Sequence, residues 1–568
     1  MFQRSTCFPS CLPGFVLLLG ACTESGVPGD VPPTVTNVGL VTRPTELAGD
    51  GDLWLVGARE FEAGGRDLDQ DGDAFDQVVF VVDLKSGTTR NTSLAISTAS
   101  AALPLAVRGR LAAFAASESS SGGRDLNADG DAFDDVSFVH DAATGTTRGL
   151  ALALPAGALP VVGDGLVVFP VSEAAQDGTD LDGSGSAAGD VLHVFDRTTG
   201  ETTNTRLAVT SRLFLGGGRV AHLEVESADE NGDADALDLV LRVFDPVTGD
   251  DLSSGLASDG NEPLAADGTW LLAVPESAQG GADLDGDGDS LDAVLHVFDP
   301  RTGFVRNLGL VCAAPGCAVA SRPASARASF AILARESGLD RNGDGDLLDD
   351  VAFTYDPRTD RLTNTRVAAV APLVFVGSSL GFRGLESAQG ADLDGDGDLR
   401  DAVAFVTDPF TGKTTNLRQD AVDLRGSEDF LLLARPESTS GVDSNEDGDR
   451  SDVIVHAFDR RSSLTTDTEI ASVDAFGASA SEILLYVSED SEGRDLNGDR
   501  DLQDEVFVLF DVPSKTNLSL NLAGGADESR FASFSRSGRL VLLANERSQG
   551  TDLDGDGDLS DLVLHRGR

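Results

Sequence analysis

Asp283, Asp285, Asp287, Asp289 and Asp292 stand at positions 1, 3, 5, 7 and 10 of the stretch DLDGDGDSLD. Carboxylates so crowded repel one another: a pair about 4 Å apart costs roughly 4 kcal/mol at an effective dielectric near 20. A hard divalent cation with oxygen ligands turns that repulsion into coordination, and calcium favours such a donor set. Gly288 at position 6 tolerates the sharp turn that a wrapped loop needs. The expected ligands are the side chains at positions 1, 3, 5 and 10, joined by a backbone carbonyl at position 7 and water. The side chain at position 7 is expected to stand behind the ligands rather than among them.

The block recurs along the chain. Its intact copies place candidate ligands at Asp67, Asp69, Asp71 and Asp76; Asp125, Asn127, Asp129 and Asp134; Asp229, Asn231, Asp233 and Asp238; Asp283, Asp285, Asp287 and Asp292; Asp340, Asn342, Asp344 and Asp349. Four more follow at Asp392, Asp394, Asp396 and Asp401; Asp443, Asn445, Asp447 and Asp452; Asp495, Asn497, Asp499 and Asp504; Asp552, Asp554, Asp556 and Asp561. Asn in place of Asp at position 3 keeps an oxygen donor while removing a charge. A further copy, DLDGSGSAAG from Asp180, has lost most of its carboxylates and is expected to bind nothing. A merely solvated acidic turn would accept Glu, Lys or Ser at these slots, whereas the nine intact copies hold only Asp or Asn. About nine calcium sites are therefore expected, and their repetition fits a structural role better than a signalling one.

Other candidate chemistry is weaker. A Glu ends the second apolar run of each repeat, from Glu60 to Glu546, and its tenfold recurrence suggests a cap on the loop rather than acid–base catalysis. His193, His296, His456 and His565 share one equivalent place that Phe80 or Arg242 fills elsewhere, as a packing position would allow. No nucleophile elbow, phosphate-binding glycine loop or zinc pattern is present in the sequence, so no catalytic residue and no organic cofactor is assigned. The net charge of −53 makes nucleic acid or a bare anionic membrane surface a poor partner.

The elements that position the loops repeat with them. Loop starts lie 49 to 58 residues apart, a period suited to a propeller blade. Around Asp283 the pattern is a short strand from Pro263, an apolar strand from Thr269 to Glu276, the loop, a strand from Ala293 to Asp299, a PRTG turn and a strand from Phe304 to Val311. Helical periodicity is absent on both flanks, which excludes a helix–loop–helix calcium site. The last repeat lacks a fourth strand, and an orphan strand from Thr34 to Val41 matches that missing strand. The expected fold is all-β: a β-propeller of about ten four-stranded blades over residues 34–568, closed by the N-terminal strand completing the last blade, with two smaller propellers in tandem as the alternative.

The hairpin ending in VFDxxTG followed by a TTNL-type strand resembles blades of the TolB and WD-like propellers. The loop resembles the calcium loop of integrin α-subunit (FG-GAP) propellers, although its final Asp falls one position later. The N-terminus, with MFQR, the apolar FVLLLG and then LGAC ending at Cys22, resembles a bacterial lipoprotein signal. That resemblance implies a signal peptide over residues 1–21, lipidation of Cys22, a linker over residues 22–33, and a lipid anchor as the sole membrane attachment, at the outer membrane or cell surface. Cys312 and Cys317, in VCAAPGC, are close enough to bridge in an oxidising compartment. The function expected from these features is that of a calcium-binding cell-envelope lipoprotein, a binding or scaffolding propeller for a protein or polysaccharide. A calcium-dependent propeller hydrolase or lyase acting on an extracellular polymer or phosphoester is the alternative.

Overall fold

The structure, a computed structural model, describes residues 34–96, 104–163, 165–209, 212–312, 318–320, 328–525, 530–535 and 537–568. The signal, Cys22 and its linker, and Cys317, lie outside them. Residues Val35–Arg568 form one compact unit.

Each repeat folds as an antiparallel four-stranded meander. In the first repeat the strands are Leu47–Asp50, Leu53–Arg59, Gln77–Asp83 and Thr88–Ala95, and in the fifth they are Leu264–Ala266, Thr269–Pro275, Ala293–Asp299 and Phe304–Cys312. Five such sheets stand separately, while an 11-stranded and a 7-stranded sheet contain the rest. In those larger sheets the long strands Arg361–Val376 and Leu464–Ala478 each end one repeat and begin the next.

The second and third strands of a repeat read as nearly continuous apolar runs because both faces are covered. Leu53, Leu55, Val79 and Val81 of the first repeat pack on Ala112, Phe114 and Ala116 of the second. The opposite face carries Trp54, Val56, Val78 and Phe80, which pack on Val541, Leu543 and Leu564 of the last repeat. The core therefore lies between successive sheets rather than inside any one of them. Trp54 and Trp270 are both buried in it, as are His193, His296 and His565, whose imidazoles burial holds below their ordinary pKa.

The orphan strand is placed where the sequence puts it. Val35–Val41 pairs antiparallel with Leu562–Gly567, with Val35 opposite Gly567, Val41 opposite Val563 and a register shift between Asn37 and Val41, and supplies the fourth strand of the last sheet. Leu40 of that strand enters the apolar cluster shared with the first repeat. Deleting residues 34–41 would uncover the Leu562–Gly567 edge and remove Leu40 from its cluster; we expect a lower melting temperature and a concentration-dependent tendency to aggregate, read by thermal melts with light scattering.

Candidate metal centre

The loops are built by their own backbone before any ion is considered. In the fifth repeat the Asp283 carboxylate accepts from the backbone N–H groups of Gly286, at 2.7 Å, and Gly288, at 3.2 Å. Asp285 accepts from Asp287 N–H, Asp287 from Asp289 N–H, and Asp289 from Leu291 N–H, at 2.9–3.2 Å. The carboxylate at position 7 secures the backbone as those at positions 1, 3 and 5 do, and in two loops, at Asp73 and Asp501, it also lies within the converging carboxylates. Positions 4 and 6 are left-handed throughout, with φ of 87° at Gly286 and 104° at Gly288. Two repeats carry side chains at position 6 in that region, Ala234 at φ 81° and Arg500 at φ 83°.

The glutamate that ends each second strand is the cap that its recurrence suggested. Glu276 is fully buried; one carboxylate oxygen accepts from Leu284 N–H at 2.5 Å and the other from Asp292 N–H at 3.1 Å, while its own N–H donates to the Asp292 carbonyl. Glu60, Glu118, Glu386 and Glu546 repeat both side-chain contacts in their loops.

A second clamp escaped the sequence reading. Asn307, in the fourth strand, donates to the Leu284 carbonyl at 2.6 Å, so position 2 of the loop is held through its N–H by Glu276 and through its C=O by Asn307. Asn91, Asn204, Asn364 and Asn416 do the same in their repeats, and Ser519 substitutes in another. The recurring TTN of the fourth strand was the available signal. In the last repeat the clamp is Asn37, which donates to the Leu553 carbonyl at 2.6 Å from the N-terminal strand.

The decayed loop separates shape from ligand chemistry. Glu173 still caps it, Asp180 still accepts from Gly183 and Gly185, and Asn204 still clamps it, although Ser184, Ser186 and Gly189 stand where the other copies have Asp. The carboxylates at positions 5 and 10 are therefore not needed for the fold of the loop. In the intact copies they converge: Asp69, Asp71 and Asp76 each offer an oxygen within 4.8 Å of the others, as do Glu489, Asp499, Asp501 and Asp504. Asp69 and Asp561 are each only 5% exposed, and one carboxylate oxygen of each is buried without a hydrogen-bond donor, as is one of Asp285. An all-oxygen set with orphaned carboxylate oxygens fits a hard divalent cation.

The electrostatics point the same way. Burial first, then neighbouring carboxylates, push Asp76 and Asp561 up to about 7 and Asp69 and Asp401 up to about 6. Asp134 is likewise raised to about 7, by burial and then by its hydrogen bond to Asp129. Each is a carboxyl that the folded loop charges reluctantly, and an ion would relieve it as a proton does.

Loops also touch the repeat that follows. The Asn127 amide donates to the Ala175 carbonyl at 3.3 Å, Asn231 to Ala278 at 2.8 Å, Asn342 to Ala388 at 3.4 Å and Asn445 to Ser491 at 2.8 Å, each acceptor two residues beyond the next repeat's capping glutamate. The same turn reaches back: the Gln279 side chain accepts from Ala257 N–H at 3.0 Å and Gln389 from Ala368 N–H at 2.9 Å. Position 5 packs so closely on this turn that a Cβ on Gly122 would stand 2.9 Å from the Asp71 Cβ, and one on Gly64 3.0 Å from the Asp556 Cβ.

Away from the loops, Cys312 is disulfide-bonded. In the fourth repeat buried His222 donates through Nε2 to the Asp251 carboxylate at 2.9 Å, and Arg242 joins Asp251 to Glu230.

No protein-family model and no curated protein matches the sequence. Solved structures that match include the tricorn protease, at 12% identity over 90% of this chain with a TM-score of 0.22. They also include the β-propeller domain of the Trilobed protease from Pyrococcus furiosus, at 8% identity over 66% of this chain and 95% of that one, TM-score 0.31. TolB from Acinetobacter baumannii matches at 11% identity over 62% of this chain and 80% of that one, TM-score 0.23. The chain spans about half the length of the tricorn protease, 47%. β-Propeller domains thus stand among the structures resembling this all-β chain of four-stranded sheets.

These matches correct one expectation. A binding or scaffolding role in the cell envelope was expected, but several of the matching structures bear the names of peptidases and a hydrolase, among them puromycin hydrolase and dipeptidyl peptidase 4 from Porphyromonas gingivalis. The binding or scaffolding role for a protein or polysaccharide partner is therefore not retained. At such TM-scores and identities the likeness assigns no activity in its place.

Two outcomes are expected from the loop geometry. Ala234→Gly and Arg500→Gly relieve a left-handed strain worth about 1 kcal/mol each and should raise the melting temperature of the metal-free protein. The raised carboxyl pKa values give the metal-free loops stability that is complete below the unfolded value of 3.8 and is lost as pH rises through about 6 to 7. Metal-free protein should therefore melt higher at pH 5 than at pH 8 in chelator, and added calcium should reverse that order, since ion and proton compete for the same oxygens.

Proposed function

We propose that the described repeats form one closed propeller ring of ten blades, and that nine of the ten loops bind calcium whose work is to hold the blades in place. The observation that carries the metal reading is the set of buried carboxylate oxygens left without donors in loops whose backbone is already secured, at Asp69, Asp285 and Asp561. Ring closure is supported by the pairing of Val35–Val41 with Leu562–Gly567 and by the apolar cluster that the first and last repeats share. Nine divalent ions would carry the net charge from −53 to about −35. The loop remains similar to the integrin-type calcium loop, and extracellular sites of this kind bind on the order of 0.1 to 1 mM. The resemblance of the N-terminus to a lipoprotein signal supports a location at the bacterial outer membrane or cell surface, held by a lipid on Cys22, with a bridge between Cys312 and Cys317 in that oxidising space.

Calorimetric titration of chelator-stripped protein with calcium chloride should give binding at about nine sites. Each site filled at a hundredfold excess over its dissociation constant adds up to about 2.7 kcal/mol of folded-state stability, so EGTA should lower the melting temperature sharply. A melting curve indifferent to EGTA, together with no calcium heat, would reject the metal reading. Replacing Cys22 with Ala should release the protein from the membrane fraction.

A further inference from the structure

The residue at position 3 divides the loops in a way that charge alone does not explain. Where it is Asn, the amide nitrogen donates to Asp at position 10 of its own loop, at 3.1 Å for Asn127 with Asp134 and 2.8 Å for Asn342 with Asp349. In four of these five loops the same nitrogen also reaches the carbonyl of the following repeat's turn. One –NH2 group thus joins two acceptors across the junction between repeats.

Where position 3 is Asp, no proton stands at that place. Asp69, Asp285 and Asp554 each leave the corresponding oxygen, Oδ2, buried without a hydrogen-bond donor. Asp69 is 5% exposed and its carboxylate converges with those of Asp71 and Asp76. The following repeat directs an arginine towards the place: Arg66 Nη2 lies 3.6 Å from Asp554 Oδ2, and the charges of Arg124 and Arg341 act on Asp69 and Asp285. The hydrogen bonds of these arginines, however, go to backbone carbonyls, at Ala63 for Arg66, Ser121 and Ser93 for Arg124, and Gly309 for Arg341.

We propose that in the Asp loops a divalent cation takes the part that the asparagine amide takes in the others, binding Asp69, Asp285 or Asp554 through Oδ2 and joining the loop to the turn of the next repeat. The inference rests on the cation reading above and deepens it: the ion is a junction ligand in one class of loop and a purely internal one in the other. The four junctions that Asn127, Asn231, Asn342 and Asn445 cross stay latched without metal. Junctions carrying Asp loosen when metal is removed, among them the one between the last repeat and the first, where Asp554 faces Arg66.

Hydrogen exchange read by mass spectrometry on the full chain, in calcium and in EGTA, tests this. Segments 118–124, 336–341 and 60–66, the turns that face Asp loops, should exchange roughly tenfold faster or more in EGTA, whereas turns 173–179, 276–281 and 386–391, which face Asn loops, should change little. Asp69→Asn should restore protection of 118–124 in EGTA, and Asn342→Asp should make 386–391 calcium-dependent. Equal loss of protection at all turns, with calcium binding intact, would overturn the two-class proposal and leave the cation reading standing. Asp-facing turns indifferent to EGTA while calcium still binds would mean that the arginines suffice, and would overturn it equally. Absence of any calcium response would instead bring down the cation reading itself.

Discussion

A buried carboxylate answered by backbone N–H groups is the interaction on which each repeat depends. Glu276 and its counterparts are almost wholly removed from water, a costly place for a charge unless hydrogen bonds replace hydration. At Glu60, Glu118, Glu173, Glu276, Glu386 and Glu546 the donors come from the start and the end of the acidic loop at once, so satisfying the glutamate also closes the loop into a ring. Substituting the glutamate would leave those N–H groups buried without acceptors, and the loop would lose its shape before any question of metal arose. This ordering explains why the loop from Asp180 keeps its form after losing its ligands.

Much of this was legible because it is local. The spacing of Asp and Gly in DLDGDGDSLD dictates the turns, the apolar runs around it dictate strands, and the capping role of Glu276 followed from its recurrence. The match of Thr34–Val41 to a missing fourth strand was likewise a matter of pattern. What the sequence hid is what crosses between elements. The TTN asparagine lies 23 residues after the carbonyl it clamps, and nothing in its own neighbourhood says so. The Asn at position 3 looked like a calcium ligand that had only lost a charge, because only the turn of the next repeat, 46 to 48 residues on, reveals where its nitrogen points. Activity was the least legible: the loop carboxylates, the capping glutamate and the clamping asparagine all have structural parts, and the scaffold role inferred from that regularity was not retained.

Placing the core between sheets has an energetic corollary. A single four-stranded meander with two apolar faces cannot hide either of them, so no repeat is expected to be stable alone, and stability accumulates at junctions as in other repeat architectures. The acidic loops sit on those junctions, through the Asn127 to Ala175 and Asn231 to Ala278 contacts and the close approach of Asp71 to Gly122. Each loop is thereby a property of two repeats. A change in one position of one loop alters the affinity of its neighbour for the next.

Asn37 gives the N-terminal strand a second consequence, in time rather than in space. Its amide serves a loop 516 residues away along the chain, so the strand emerges first and finds its partner last. Contacts of such sequence separation close slowly, because the entropy of the intervening chain must be lost before they form. Until then the strand Val35–Val41 and the partner edge Leu562–Gly567 are both unpaired, and the apolar surface around Leu40 and Val541 is bare. The interval between making the first strand and making the last is thus the period in which this molecule is most exposed to aggregation.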